Sequence, residues 1–190
     1  MATDLVTRRF TVDEYHRMAV AGILGEDDRV ELLDGWIVEM SPIGSRHAGC
    51  VNRLAALLYR RLGDTVVLAV QNPVILNTWW EPQPDLAVLT PRPDAYGAAH
   101  PRADDALLIV EVADSSVAHD RATKLPAYAA GGVAEVWLVD LEAGRIEVYR
   151  SPTPRRYQDV RALTPGQTVA ALLVPTGEIA VDEILGEPGM

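Results

Sequence analysis

The sequence predicts an α/β (α+β) fold in which a mixed central sheet is flanked by helices, with additional β-hairpins. Short runs rich in leucine and β-branched residues alternate with turn residues along most of the chain. Residues 47–62 instead repeat apolar side chains at three- and four-residue spacing, which is typical of an amphipathic helix. Since 48% of the 190 residues are hydrophobic, one substantial core is possible, and we expect a single domain over residues 1–190.

The composition limits the classes of function. No apolar run is long enough to cross a bilayer, and the N-terminus lacks a basic region followed by an apolar stretch, so we expect a cytoplasmic protein that does not associate with membranes. Cys50 is the only cysteine, which excludes an internal disulfide and a multi-thiolate metal site. A net charge of -10 counts against broad electrostatic attraction to nucleic acid, although arginines cluster in residues 53–61 and 145–156.

The first third of the chain predicts a helix, a hairpin and a second helix. Thr11 and Glu14 have the spacing of a capping box, which predicts a short helix running towards Val20. The Asp34-Gly35 dipeptide suits a two-residue type I′ turn, so residues 30–33 and 36–40 are predicted strands of a hairpin. The amphipathic helix at residues 47–62 is followed by Gly63, a residue typical of helix C-termini.

The remainder predicts mostly strands. Those before the last helix are residues 66–70, 74–76, 86–89 and 107–112. Residues 91–105 form a long loop, read either as a lid or substrate-contacting segment or as a plain connection. A helix is predicted near residues 120–130, with Pro126 kinking it at a cost of about 3 kcal/mol. Later strands are predicted at residues 136–139, 146–149 and 169–174.

Two acidic residues stand in unusual positions on predicted strands. Glu111 lies within an apolar run, where an unpaired buried carboxylate would cost several kcal/mol unless a cation, a hydrogen bond or a raised pKa compensates. Asp85 opens the preceding strand, so the two carboxylates can meet if the strands are neighbours. Magnesium prefers such oxygen ligands and commonly needs only one or two protein carboxylates.

Three polar residues share one face of the next predicted helix. Asp120, Lys124 and Tyr128 are spaced at i, i+4 and i+8, so Lys124 can point back at the sheet while Asp120 orients it. A surface salt bridge is the alternative, and the spacing alone favours it.

Several other residues have open interpretations. His47, at a helix start, either contacts a phosphate or caps the helix locally. Trp79-Trp80 either stacks on bases or belongs to a core edge or dimer interface.

Asp34 is assigned to its turn, while Asp114 and Ser115-Ser116 are expected to shape the connection between strand and helix. An HD-type phosphohydrolase, suggested by the order of His47, His119-Asp120 and Asp140, is disfavoured because that fold is all-helical.

Several ordered motifs together resemble the Uma2 family. They are Glu31-Leu32-Leu33-Asp34-Gly35, His47, Pro84-Asp85-Leu86, Val110-Glu111-Val112, Ser115-Ser116, Asp120, Thr123-Lys124, Tyr128, and residues 132–140. The resemblance implies a restriction-endonuclease-like fold of the PD-(D/E)xK superfamily. Residues 10–150 would form the core, and residues 151–190 a strand-rich C-terminal extension of the same domain.

The resemblance also implies a site. Asp85, Glu111 and the backbone carbonyl of Val112 would hold Mg²⁺, with Mn²⁺ as a substitute, and Glu31 would be an additional acid. The superfamily lysine commonly stands two residues after the acid, where this chain has Ala113. Lys124 would replace it from the helix. Possible supporting residues are His47, Asp120 and Tyr128.

The implied activity is that of a metal-dependent endonuclease. A metal-activated water would attack a phosphodiester bond of nucleic acid, with DNA the expected substrate and a homodimer the expected assembly. The alternative is a non-catalytic module, associated with nucleic acid or protein, that keeps the carboxylates and the lysine as a structural network. The acidic net charge favours that alternative.

Overall fold

The structure is a computed structural model that describes residues 7–25, 27–114 and 116–186. In chain order the elements are α1 (Val12–Val20), β1 (Val30–Leu33), β2 (Trp36–Glu39), α2 (Ser45–Leu62), β3 (Val67–Val70), β4 (Leu86–Leu89), β5 (Ala106–Ala113), α3 (Val117–His119), a π-helical segment (Asp120–Lys124), α4 (Leu125–Gly131), β6 (Glu135–Asp140), β7 (Arg145–Pro152), β8 (Tyr157–Leu163), β9 (Thr168–Val169), β10 (Ile179–Ala180) and α5 (Val181–Leu185). Short 3-10 turns occupy Gly63–Thr65 and Ala103–Asp105.

Six strands form the central sheet, in the order β3-β4-β5-β6-β7-β8. Strands β5 and β6 run parallel, with Glu111 opposite Leu138, and the other neighbouring pairs are antiparallel. The predicted mixed sheet is thus confirmed. Strand β4, which follows Asp85, and β5, which contains Glu111, are neighbours, and this is the condition under which the two carboxylates can meet.

Helices cover both faces of this sheet. Neighbouring residues of β5 point to opposite faces, so Val110 packs with Leu54 and Leu58 of α2, whereas Ile109 packs with Leu125 of α4. Covering both faces explains why β5 is apolar throughout except for Glu111. No helix in the described part of the chain is long and apolar enough to span a membrane.

The hairpin and the first helix form as local sequence predicts. Thr11 Oγ1 accepts a hydrogen bond from Glu14 N at 3.2 Å, and Glu14 Oε2 accepts one from Thr11 N at 3.0 Å, completing the capping box. Asp34 and Gly35 have φ values of 52° and 78°, the positive sign that a type I′ turn requires at both central positions. Helix α2 begins at Ser45, two residues earlier than predicted, and β2 ends at Glu39, one residue earlier.

The helix predicted near residues 120–130 changes type shortly before Pro126. The segment Asp120–Lys124 is π-helical, and Leu125 N bonds to Asp120 O five residues back. Pro126 therefore lies in the first turn of α4, where a missing N–H costs little. The helix predicted near residues 120–130 is present, as part of a helical stretch that runs from Val117 to Gly131.

Three strand predictions also need correction. Residues 74–76 make only an isolated bridge, between Ile75 and Arg102, because the amides of Val74 and Leu76 bond to carbonyls of the turn that follows them. In the stretch 169–174 only Val169 lies in a strand, the two-residue β9 that pairs with β10. Strand β8 was not predicted, because its mostly exposed, polar sequence at the sheet edge lacks an apolar run.

Candidate active site

Four predicted residues converge near the carboxyl end of β5. Glu31 lies on β1, Asp85 directly precedes β4, Glu111 lies on β5 and Lys124 ends the π-helical segment. All four are buried, with 4–8% of each residue exposed. The hairpin, the sheet and the interrupted helix thus each contribute charged groups to one place.

Lys124 joins two of these carboxylates. Its Nζ lies 3.1 Å from Glu31 Oε2 and 3.4 Å from Glu111 Oε1. The Gln83 backbone N–H also donates to Glu31 Oε2 at 3.0 Å, which fixes that carboxylate against the segment leading into β4. Lys124 therefore faces the sheet and does not form the surface salt bridge that its spacing alone favoured.

Asp85 is fixed by three donors. Its Oδ2 accepts hydrogen bonds from Val112 N at 2.9 Å and from His47 Nε2 at 3.0 Å, and its Oδ1 accepts one from Gln71 Nε2 at 3.2 Å. The N–H and C=O of one strand residue point to the same edge. The Val112 carbonyl therefore faces the side on which Asp85 lies.

The helix face that contains Lys124 supplies two further polar groups. Tyr128 Oη donates to Glu111 Oε1 at 2.5 Å, and Tyr128 is fully buried. Asp120 accepts a hydrogen bond from Ser116 Oγ at 2.7 Å, whereas Lys124 pairs with Glu31 and Glu111. Asp120 can thus act on Lys124 through charge but does not orient it by direct contact.

The electrostatics of the cluster reflect its burial. Burial raises the pKa of Glu111 to about 8, although the positive charge of Lys124 and the Tyr128 hydrogen bond oppose this. Burial alone would lower the pKa of Lys124, but the negative charges of Glu111 and Glu31 outweigh it and raise that pKa. When Glu111 is protonated, Glu31 still pairs with the ammonium. The hydrogen bond to Asp85 raises the pKa of His47.

An open cavity of about 330 Å³ adjoins these groups. Glu31, Asp85, Glu111 and Lys124 line it, together with Asp120 and His119. The donor set suits a hard divalent cation, since it offers carboxylate oxygens and the Val112 carbonyl without a thiolate. A cation would also offset the burial that disfavours the ionised form of Glu111. The residues present therefore fit a magnesium-type ion.

His47 contributes one further unusual group. Its Nδ1 is buried without a hydrogen-bond partner of normal geometry among the described residues. The Val112 backbone is nevertheless close enough to help raise the His47 pKa. A buried polar atom without a partner at the edge of a cavity is a position where a water or a ligand can bind. His47 thus lies in the site and does not serve only as a helix cap.

Other predicted residues lie elsewhere or make structural contacts. Asp140 pairs with Arg121, which together with the central sheet excludes the HD-type arrangement. Trp79 is 37% exposed and lies under the Arg9 guanidinium, while Trp80 packs against the core.

The described lining of the cavity includes no residue of the loop 91–105. Asp114 lines the cavity and pairs with Arg46, whereas Ser115 lies outside the described residues.

Two features of the site escaped the sequence analysis. Gln71 follows β3 with a φ of 51°, and this left-handed conformation lets both its amide groups bond to Asp85. No sequence pattern marks it. The second feature was readable: Lys124 is the only lysine in the sequence, beside 16 arginines. A chain that otherwise uses arginine for every cation but keeps one buried lysine is using a chemical property specific to the ammonium group.

A second cavity, of about 650 Å³, lies between α4 and β8. Arg121 lines it but is held by Glu147 at 2.7 Å and by Asp140 at 3.0 Å. Its lining contains no carboxylate. The described lining of this cavity also contains no histidine or cysteine, so it offers none of the side chains that most often bind metal.

A mixed sheet that gathers buried carboxylates and one lysine beside an open cavity defines the class of fold and site found in nuclease-like α/β proteins. The Uma2 family model, described as "Putative restriction endonuclease", matches residues 12–182. The chain therefore belongs to the Uma2 family, as its motifs predicted.

A solved structure shares the fold. A crystal structure from Anabaena variabilis, described as a "putative nuclease belonging to DUF820", superposes with a TM-score of 0.73 at 15% sequence identity. The match covers 93% of this chain and 97% of that chain. No curated protein matches the sequence significantly.

Proposed function

We propose that this protein is a magnesium-dependent endonuclease that hydrolyses phosphodiester bonds of nucleic acid. The observation that carries the proposal is the position of the only lysine, buried between Glu31 and Glu111 beside Asp85 at an open cavity. The family description, "Putative restriction endonuclease", and the description of the Anabaena protein as a "putative nuclease" support it.

Each residue has a defined part in this proposal. Asp85, Glu111 and the Val112 carbonyl would hold Mg²⁺, or Mn²⁺ in its place, which when bound supplies Lewis acidity to the phosphoryl group and to a water. Lys124 stays protonated because of the adjacent carboxylates, so it can stabilise negative charge that develops on the phosphate. Glu31 holds the ammonium in position and can accept a hydrogen bond from the attacking water.

The supporting residues act on these groups. Tyr128 fixes one oxygen of Glu111, which leaves the other oxygen free to turn towards the cavity. His47 and Gln71 together hold both oxygens of Asp85 in a defined orientation. Asp120 adds negative charge near Lys124 and helps to keep it protonated. These contacts fix the geometry of the site before substrate binds.

The partners and the setting are part of the proposal. DNA is the proposed substrate, and a homodimer is the simplest way for a subunit with one site to cut two strands. A cytoplasmic location is proposed because the chain has a single, buried thiol and no second cysteine with which to pair. The net charge of -10 favours the alternative, a non-catalytic module, and the experiment must distinguish the two.

The test compares cleavage by matched variants. Metal-free protein is incubated with supercoiled plasmid, single-stranded DNA, RNA and a small phosphodiester, with Mg²⁺, Mn²⁺ or chelator. We expect metal-dependent cleavage that falls by about 100-fold or more in Asp85→Asn, Glu111→Gln and Lys124→Met. Asp159→Asn is the control, since this carboxylate pairs with Arg161 on the exposed edge of the sheet.

Calorimetric titration of metal separates the alternatives. A folded wild-type protein that binds Mg²⁺ through Asp85 and Glu111 but cuts none of these substrates would support the non-catalytic module. Cleavage that survives in Lys124→Met, or that falls equally in the Asp159→Asn control, would refute the assignment of this cluster. Circular dichroism of each variant establishes that lost activity is not lost fold.

A further inference from the structure

A second group of metal-ligating side chains lies outside the cavity. His16 on α1, Glu81 in the segment before β4, and His100 in the loop 91–105 each direct one ligand atom to a common point, and these atoms lie within 4.8 Å of one another. His16 Nε2 is 2.7 Å from Glu81 Oε2, and the two imidazole rings meet edge to face with centroids 5.6 Å apart. Residues separated by 65 and 19 positions in the sequence are thus brought together.

Glu81 is the unusual member of this group. Its side chain is only 2% exposed, so its charge needs compensation. Other buried carboxylates of the sheet have arginine partners: Glu135 pairs with Arg150, and Glu147 with Arg121. Among the described residues, His16 is the only side chain that hydrogen-bonds to Glu81, and no lysine or arginine pairs with it. A cation bound beside Glu81 would supply the missing charge.

The backbone holds all three residues in place. Glu81 exchanges two backbone hydrogen bonds with Leu32 of β1, at 2.8 and 3.2 Å. His16 lies within the capped helix α1, whose first residue, Val12, donates to the Thr78 carbonyl at 2.8 Å. Directly after His100, the Pro101 carbonyl accepts from Ile75 N at 2.9 Å. The three ligands therefore do not depend on free chain ends or on an unanchored loop.

This group is separate from the candidate active site. Glu81 lies opposite Leu32 in an antiparallel pairing, so these two side chains share one face. Glu31, the neighbour of Leu32, points to the other face and lines the cavity. Neither His16, Glu81 nor His100 is among the residues that line it. The hairpin thus has a cluster of ligands on each side.

We propose that His16, Glu81 and His100 bind a zinc ion, with a fourth position open to water or another small ligand. Two histidines and one carboxylate are a typical three-residue zinc set. Ligand atoms about 2.1 Å from a tetrahedral ion are about 3.4 Å apart, so the His16–Glu81 contact must widen slightly and His100 must move inward. His100 is exposed and has room to do so.

Zinc at this point would join α1 and the loop 91–105 to the hairpin that contains Glu31. The loop would then act as a structural strap on the side of the hairpin away from the cavity. This inference does not rest on the proposed nuclease activity, because its ligands, its metal and its readout are all different.

The test uses untagged, chelator-treated protein titrated with Zn²⁺ alone. We expect one zinc ion per chain at this site, counted in Asp85→Asn so that the cavity does not contribute, with a higher melting temperature in Zn²⁺ and, with Co²⁺, the visible absorption of a tetrahedral site. His16→Ala and His100→Ala should each lower the zinc affinity by more than roughly 100-fold. Losing a residue that only hydrogen-bonds to a metal ligand lowers metal affinity by roughly 10–100-fold. Glu81→Gln should abolish the Co²⁺ spectrum.

Controls in the other cluster decide the location. His119→Ala removes a histidine that lines the cavity, and Asp85→Asn removes a cavity carboxylate, so both should keep full zinc affinity. Zinc binding that is lost in Asp85→Asn but retained in His100→Ala would place the ion in the cavity and overturn the proposal. Absence of zinc binding by the folded wild type would show that His16 and Glu81 are only a hydrogen-bonded pair.

Discussion

Replacing Lys124 with methionine removes the ammonium group but keeps the length of the side chain. In metal-free protein this leaves Glu31 and Glu111 without their cation, at side-chain exposures of 7% and 5%. Removing one partner of a buried ion pair costs about 3–5 kcal/mol. Glu111, with its pKa near 8, is largely protonated at pH 7 in either protein, so most of the loss comes from Glu31. We therefore expect a loss of about 3 kcal/mol at pH 7, the lower end of that range.

The loss should depend on pH in a defined direction. The raised pKa of Lys124 means that its contribution is fully present below about pH 10.4, the unfolded value, and is lost as pH rises through the folded value. In the variant the penalty comes from unpaired carboxylates, so it should be small below about pH 4, where glutamates become protonated. It should increase above pH 8, where Glu111 ionises beside Lys124 in the wild type, whereas loss of that positive charge raises the Glu111 pKa further in the variant.

Urea unfolding followed by circular dichroism in chelator, at pH 4, 7 and 9, measures this difference. Lys124→Arg is the matched control, because it keeps the charge but replaces a compact ammonium with a planar guanidinium. It should recover more than half of the lost stability but not the cleavage activity. Because the chain has one lysine, ¹⁵N-lysine labelling gives a single side-chain ammonium signal whose titration reports Lys124 directly. A loss below about 1 kcal/mol, typical of an exposed pair, or one equal at all three pH values, would refute this reasoning.

Three further predictions test local features. Tyr128→Phe removes the 2.5 Å hydrogen bond to Glu111 and should lower the free energy of urea unfolding at pH 7 by about 0.5–1.5 kcal/mol, the range for a bond between uncharged groups, whereas no change would mean that the bond has no net value. Burial raises the pKa of Cys50 to about 11, so only about 0.1% is thiolate at pH 8 and a disulfide reagent should react rapidly only after unfolding. Thr11→Ala should cost about 1 kcal/mol in thermal unfolding, and full retention of stability would show that the capping box is dispensable.

The elements marked by local sequence were predictable. The capping box at Thr11 and the positive φ values at Asp34-Gly35 depend on adjacent residues, and the strand around Glu111 is marked by its continuous apolar run. Where the competing partner was distant, prediction failed. Residues 74–76 have an apolar strand pattern, but their amides are taken by carbonyls that follow them along the chain. The polar strand β8 is held by pairing with β7, which no local pattern indicates.

The same distinction applies to the sites. Glu111 was recognisable because an acid in an apolar run requires compensation, and Lys124 because family motifs point to it. The group formed by His16, Glu81 and His100 has no sequence signature, since its spacing matches no compact metal motif and the three segments meet only through the hairpin and its bridge to Leu32. Similarly, the π-helical segment that turns Lys124 towards the sheet depends on how the helix packs and not on a local pattern.

The type of cation beside each buried acid differs between the arginine-paired acids of the sheet and the acids of the two proposed sites. Arg150 donates twice to one oxygen of Glu135, and Arg121 donates to both oxygens of Glu147, so each of these acids has a fixed cationic partner. In the cavity, the only lysine offers three donors on a point charge, so its carboxylate partners retain oxygens that a metal can use. At Glu81 the partner is a histidine, which in its neutral form can exchange a hydrogen bond for a metal bond. The acids that arginine does not pair are therefore those that remain available for chemistry.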